Sequence, residues 1–210
     1  MAFVLKHAFT SAKSDGADPT LIQPSNWNAD HTPSGTGKLT MRPSLVAGKI
    51  GAVGKPTPVE IGVHAGYSMP VYSNDDEELF FREYIAGRWD GASNITVSVI
   101  VVLAGAEDVG DKFKFQLSWE NKATSSGVIT TDATDVEVET TILEGRAAQY
   151  SIYKVDFAID WDLNDPDVVA SDHLGLRLRR IAASSLECSG EIVVLDCVIT
   201  YDVNKIFKSS

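Results

Sequence analysis

Residues 88–122 read RWDGASNITVSVIVVLAGAEDVGDKFKFQLSWENK, and the alternation inside them decides the fold class. In the second half Phe113, Phe115, Leu117 and Trp119 share one parity, opposed by Lys112, Lys114, Gln116, Ser118 and Glu120. A period of two puts these sets on opposite faces of a strand, one buried and one wet. In the first half Ile95, Val97, Val99, Val101 and Leu103 fall on one face. The other face begins with Thr96 and Ser98 and turns apolar at Ile100 and Val102. The connection AGAEDVGD is polar and too long for a two-residue hairpin. The pair predicts an all-β sandwich or barrel and says nothing about function.

The same period recurs on both sides. Upstream, Leu79, Phe81 and Ile85 oppose Phe80, Arg82 and Tyr84, so this strand carries aromatics on both faces. Downstream, Val136, Val138 and Ile142 oppose Asp135, Glu137 and Glu139. Tyr153, Val155, Phe157, Ile159 and Trp161 oppose Lys154, Asp156, Ala158, Asp160 and Asp162. Leu174, Leu176 and Leu178 oppose His173, Arg177 and Arg179, and residues 192–201 are apolar on both faces apart from Asp196. Turn-rich connections separate these runs, and no helical period is sustained. The expected fold is an all-β, jelly-roll-like antiparallel β-sandwich preceded by an extended, largely irregular N-terminal arm. The boundary is expected at 58/59, with 1–58 an arm and linker holding one or two short strands, and 59–210 the sandwich. Val59, Ile61 and Val63 alternate and are a candidate first strand of the body.

With 210 residues, 44% hydrophobic and 22% charged, the chain has ample length for a core. No run approaches the roughly 18 apolar residues of a membrane span. The start MAFVLKHAFTSAKSDG lacks a long apolar region, so no signal peptide is expected. The net charge of −11 is uneven. Residues 1–58 hold six Lys or Arg against three Asp, a net of +3, and the rest hold twelve against twenty-six acids, a net of −14. An acidic body argues against free nucleic acid as the main partner, while the basic arm suits an acidic docking surface or is a solvated tail. Cys188 and Cys197, on one extended strand, would lie about 30 Å apart at about 3.3 Å per residue. A disulfide needs Cα atoms within about 7 Å, so two reduced thiols and no metal site are expected.

Residues 1–58 are rich in Gly, Pro, Ser, Thr and Asn, with apolar residues in short bursts. Within them SDGADPTLIQPSNWNADHT, residues 14–32, holds Asp-Gly and Asp-Pro turn signals and one tryptophan in a polar setting. This segment resembles one that recurs near the beginning of bacteriophage virion proteins, in tail, fibre and capsid-associated chains. The body, through GRWDGASNITVSV, FAIDW and LRLRRIAAS, resembles a jelly-roll domain of phage structural proteins over most of residues 75–202. The resemblance implies a virion structural protein synthesised in the host cytoplasm. A homotrimeric capsid decoration or cement protein, clasped by its arms, is the first expectation. A tail-fibre, baseplate or receptor-binding component that binds host glycans is the alternative. The partners implied are further copies of the chain and the major capsid protein or other virion proteins, with no membrane, no direct nucleic acid and no cofactor. Docking falls to Leu21, Ile22, Pro24, Trp27, Asn28 and His31 of the arm. The both-sided apolar strands suggest an oligomer interface through Phe80, Tyr84, Ile100, Val102, Val193, Leu195 and Ile199.

Other clusters have bland readings beside the functional ones. Asp160, Asp162, Asn164, Asp165 and Asp167 offer oxygen ligands at short spacing, but without the Gly and Glu of a calcium-binding EF-hand loop, and a solvated turn is the simpler reading. Asp75, Asp76, Glu77 and Glu78 read as a solvated strand entrance. Arg177, Arg179 and Arg180, with His173, read as an outer-face cluster that pairs with acids across strands or between subunits; a sugar or phosphate subsite is the lesser reading. Trp89 reads as a structural corner closed by Asp90-Gly91, against a sugar platform. The four histidines show no HxH or HxxxH pairing, and GxSxG, HExxH, P-loop and GxGxxG motifs are absent, so no enzyme is expected.

Overall fold

The computed structural model describes residues 36–48, 55–71, 77–87, 89–125, 127–129, 133–162 and 168–204. The docking residues Leu21, Ile22, Pro24, Trp27, Asn28 and His31 lie outside them, as do Asp75, Asp76 and residues 163–167 of the acidic loop. Eleven strands are described: β1 Thr36–Met41, β2 Ser44–Gly48, β3 Thr57–Ile61, β4 His64–Met69, β5 Glu78–Tyr84 and β6 Ile95–Leu103. They continue with β7 Lys112–Lys122, β8 Thr134–Thr141, β9 Ile152–Ile159, β10 His173–Ile181 and β11 Ile192–Asn204.

Two antiparallel sheets form a sandwich. One has the order β3-β4-β11-β6-β9, with β1 also pairing β11; the other has the order β2-β5-β10-β7-β8. The pairs β4·β11, β5·β10, β6·β9 and β7·β8 are nested one inside the next. The chain from β4 to β7 thus doubles back as β8 to β11, and the doubled ribbon wraps so that successive strand pairs alternate between sheets. This strand order is the jelly roll.

The core lies where the inner faces meet, and the alternation predicts its members. Ile95, Val97, Val99, Val101 and Leu103 of β6 face Phe113, Phe115, Leu117 and Trp119 of β7, all at or below 1% exposure. Tyr153, Val155, Phe157 and Ile159 of β9 and Leu174, Leu176 and Leu178 of β10 complete it. The strand β11 is apolar on both parities for a reason that alternation hides. A register shift between Val194 and Asp196 is a β-bulge, which reverses parity. Ile192 and Val194 face the core before it, and Cys197, Ile199 and Tyr201 face the core after it. Ile199 is fully buried and is not a free interface residue.

The segment expected to be linker is part of the sheets. β1 pairs β11 from Thr36↔Asn204 to Met41↔Ile199, then the chain crosses at Arg42-Pro43 and β2 pairs β5 in the opposite sheet. The β3–β4 hairpin returns to the first sheet through a two-residue loop, where Gly62 has φ 61° and Val63 is 98% exposed. A glycine first in such a loop supplies the positive φ it needs. β1 and β2 thus lie in the sandwich on the arm side of the expected 58/59 boundary. Residue 58 sits within β3.

Candidate functional site

Four regions qualify: the outer face of the β5-β10-β7-β8 sheet, the interior around Arg180, a cleft beside β11, and the loops at one end of the sandwich. The sheet face carries a polar ladder. Arg177 Nη2 donates to Ser118 Oγ at 3.0 Å, and Arg177 Nη1 lies 3.6 Å from Glu78 Oε1. Arg179 Nε donates to Gln116 Oε1, and Gln116 Nε2 donates to Glu137 Oε1 at 3.1 Å. Lys112 Nζ meets Glu139 Oε1 at 3.0 Å. Partners for Arg177 and Arg179 are thus supplied within the chain, and Ser118 and Gln116, which bond to them, are buried. Tyr84, 56% exposed, meets His173 edge-to-face at 5.6 Å.

Arg180 belongs elsewhere, and the outer-face reading is corrected. It shares the parity of Leu174, Leu176 and Leu178, points between the sheets and is 2% exposed. Its Nη1 donates to the carbonyls of Met69, Pro70 and Gly190 at 2.9–3.2 Å. Its Nη2 donates to Glu187 Oε1 at 2.7 Å and to the Cys188 carbonyl, with Cys188 Sγ at 3.0 Å. A buried guanidinium needs such a set of acceptors, and here it ties three chain segments together. It is therefore not an intersubunit ion-pair residue. Beside it, burial pushes the Cys188 thiol up to about 11 despite the favourable charge of Arg180, and burial pushes Cys197 up to about 12. Both cysteines are free.

The sheet-face interface residues divide. Val102 and Val193 stand opposite each other on the outer face but are only 3% and 1% exposed, so the chain buries them itself. Phe80, Ile100 and Leu195 are half-buried, and Tyr84 is the exposed member. Gly66 makes this packing possible. A Cβ there would stand 2.5 Å from the Val194 carbonyl oxygen and 2.9 Å from Val193 Cγ1. Trp89 is the corner expected: 4% exposed, edge-on to Trp161 at 6.1 Å, with Gly91 at φ 71°. Burial would raise the Asp90 carboxyl, but the N–H groups of Ser93 and Ala92 and the Ser93 hydroxyl hold it below its usual range. In the acidic loop, the Asp162 hydrogen bond raises Asp160, as expected where two carboxylates share a proton. Among the described residues no three His, Cys, Asp or Glu side chains converge for a metal.

Two regions escaped the sequence reading. A cleft of about 530 Å³ opens where β11 has β4 on its edge at one level and β1 at another. Pro43, Leu45, Tyr67, Phe81 and Val194 make it mainly apolar, with Glu60 and Asp196 among its walls. Arg42 Nε reaches Asp196 Oδ2 at 3.0 Å. The second region is the end of the sandwich formed by loops 104–111, 142–151 and 182–191. Val109, Leu143, Tyr150 and Leu186 are 50–67% exposed there. Backbone bonds knit these loops: Gly110 N to Ile142 O, Lys112 N to Leu186 O, and Tyr150 N to Leu103 O, at 2.7–3.0 Å. Tyr150 and Leu186 hold φ of 65° and 49°, a costly conformation for large side chains.

No family model and no curated protein matches the sequence. Solved structures do show likeness. A non-crystalline-cellulose-specific carbohydrate-binding module, CBM28, aligns at 12% identity over 68% of this chain and 78% of its own, TM-score 0.40. The family 11 module from Clostridium thermocellum, in complex with a β-1,3-1,4-mixed-linked tetrasaccharide, aligns at 11% identity over 78% and 87%, TM-score 0.37. A structure of the Gx strain of infectious bursal disease virus aligns at 8% identity over 93% of this chain and 37% of that one, TM-score 0.33. At these scores the likenesses carry no argument of their own, and the jelly roll rests on the strand order.

Proposed function

We propose that this chain is a non-enzymatic phage virion structural protein, a homotrimeric decoration or cement protein that docks on the capsid shell through its N-terminal arm. The observation that carries the reading is the loop end of the sandwich. Four large apolar side chains stand in water on loops fixed by backbone hydrogen bonds, and two of them sit in left-handed backbone. Strain of this kind persists where surrounding structure enforces it, and it collects at functional positions. Apolar tips on a rigid end suit burial against another protein. The particle comes from the resemblance of residues 14–32 to virion arms. The glycan-binding alternative loses support at both of its candidate positions, since Trp89 is buried and Arg177 and Arg179 are engaged by their own sheet.

Light scattering on the full chain tests the assembly, with a trimer expected. Replacing Leu186 by glycine should relieve the backbone and leave the body as stable or more stable, by up to about 1 kcal/mol. The same change should weaken trimer formation. A monomeric full chain that fails to bind purified capsid shells would sink the proposal.

A further inference from the structure

The loop end of the sandwich carries acid as well as apolar surface. Asp108 and Glu144 are exposed directly beside Val109 and Leu143, and the bond from Gly110 N to Ile142 O sets the two pairs side by side. The described bases at this end are already engaged: Lys112 by Glu139, and Arg146 by the Tyr153 ring and the Ile152 carbonyl. The end is therefore a set of apolar tips with negative charge at its margin. Two such ends repel each other, so this one needs a surface that is apolar and cationic.

The same chain presents that surface. On the outer face of β5, Phe80, Arg82 and Tyr84 share a parity, and Arg82 and Tyr84 are exposed. Arg82 has no acceptor among the described residues, whereas Arg42, Arg177, Arg179 and Arg180 each have one on their own chain. Opposite Arg82 on β10 stands Gly175, itself opposite Glu120 on β7. A Cβ on Gly175 would meet only the Glu120 carbonyl oxygen, at 3.8 Å. The sheet thus has a recess floored by backbone, with the Arg82 guanidinium at its side and Tyr84 at its margin.

We propose that the loop end of one copy docks end-on in this recess on the next copy. Arg82 then meets Asp108 and Glu144, and the apolar tips meet Tyr84 and the Gly175 floor. The inference rests on the homo-oligomeric reading above and supplies its contact. β10 runs from His173, paired with Tyr84, to Ile181, directly before loop 182–191. The two patches are therefore roughly 26 Å apart at about 3.3 Å per residue, and one chain cannot bring them together. The contact is heterologous: each copy gives its end and receives on its face. Such contacts build rings or filaments. Because the receiving patch is on the sheet's face, each copy turns relative to the last, as closure of a ring requires.

Sedimentation velocity on the full chain tests the contact. Gly175→Val fills the recess within a strand, where a β-branched residue suits the backbone, so the body should melt no lower than the wild type. Its trimer should nevertheless dissociate at least about tenfold more readily. Arg82→Glu should do the same, and adding Asp108→Lys and Glu144→Lys to that chain should restore the trimer. Chains with Arg82→Glu keep a sound end, and chains with Leu143→Asp keep a sound face. An equimolar mixture of the two should therefore give mixed dimers that grow no further. A wild-type trimer left intact by Gly175→Val and Arg82→Glu would overturn this contact and leave the trimer itself standing. A wild-type chain that stays monomeric at all concentrations would overturn both.

Discussion

Arg180 shows how one side chain can be misplaced by its neighbours and yet be placed by parity. It follows Arg177 and Arg179, which invites a single basic cluster, but its even number puts it with Leu174, Leu176 and Leu178. Its guanidinium satisfies the carbonyls of Met69, Pro70 and Gly190, which hydrophobic replacement would leave without a partner. Arg180→Met should therefore cost about 3 kcal/mol in denaturant unfolding, and Arg180→Lys should rescue little, because an ammonium cannot span the same acceptors. Glu139 is a second informative residue. The Ser184 backbone N–H, with Lys112 and the Ser184 hydroxyl, lowers it from 4.5 to about 2. A depressed carboxyl contributes stability that is present above its unfolded value and lost as pH falls through its folded one. Protection of the Ser184 amide should hold at pH 7 and fade between about pH 4.5 and 2. In Glu139→Gln it should be weak at both ends of that window. A flat profile in the wild type would show that the contact is not formed in solution.

At the scale of the element, legibility followed burial. β6, β7, β9 and β10 were readable because each has one inner face of large apolar residues, where slipping by one position would expose the whole set. β11 was not, because the bulge at Val194–Asp196 exchanges its faces and makes a single core strand look like a two-sided interface. Val102 and Val193 are over-read for a related reason: they stand opposite each other on the outer face yet are buried within the chain, which alternation alone does not show. β1 and β2 were under-read because each is five or six residues long and contributes few large side chains to the core. The cleft was out of reach of sequence, since it exists only where Pro43, β2, β3, β4, β5 and the bulge of β11 meet. The strand boundary gives a direct test. Removing residues 1–35 should leave a cooperatively folded body, whereas removing 1–58 takes β1 and β2 with it. The shorter chain should expose the edges of β5 and β11 and aggregate or melt at lower temperature. Equal melting temperatures for the two truncations would show that β1 and β2 add nothing to stability.

For the whole molecule, one sheet face carries the chain's own salt-linked ladder, and most of the exposed large apolar groups among the described residues stand at turns and loops. An assembly built on such a body is expected to meet end-on rather than face-on. The nested pairing has another consequence, for how the chain can be made. β11 is central in its sheet and pairs with β1, β4 and β6, yet it is the last of the eleven strands to leave a ribosome. β10 holds the corresponding place between β5 and β7. Neither sheet can close around its middle until these strands are made: β3–β4 and β2–β5 can pair early, but β1 (Met41↔Ile199) and the second edge of β4 (Met69↔Ile192) must wait for β11, more than a hundred residues downstream. Such delayed, non-local pairing is slow and prone to aggregation. The fold therefore places its greatest hazard in the nascent chain, where charged residues interleaved along β7, β8 and β9 are the available protection.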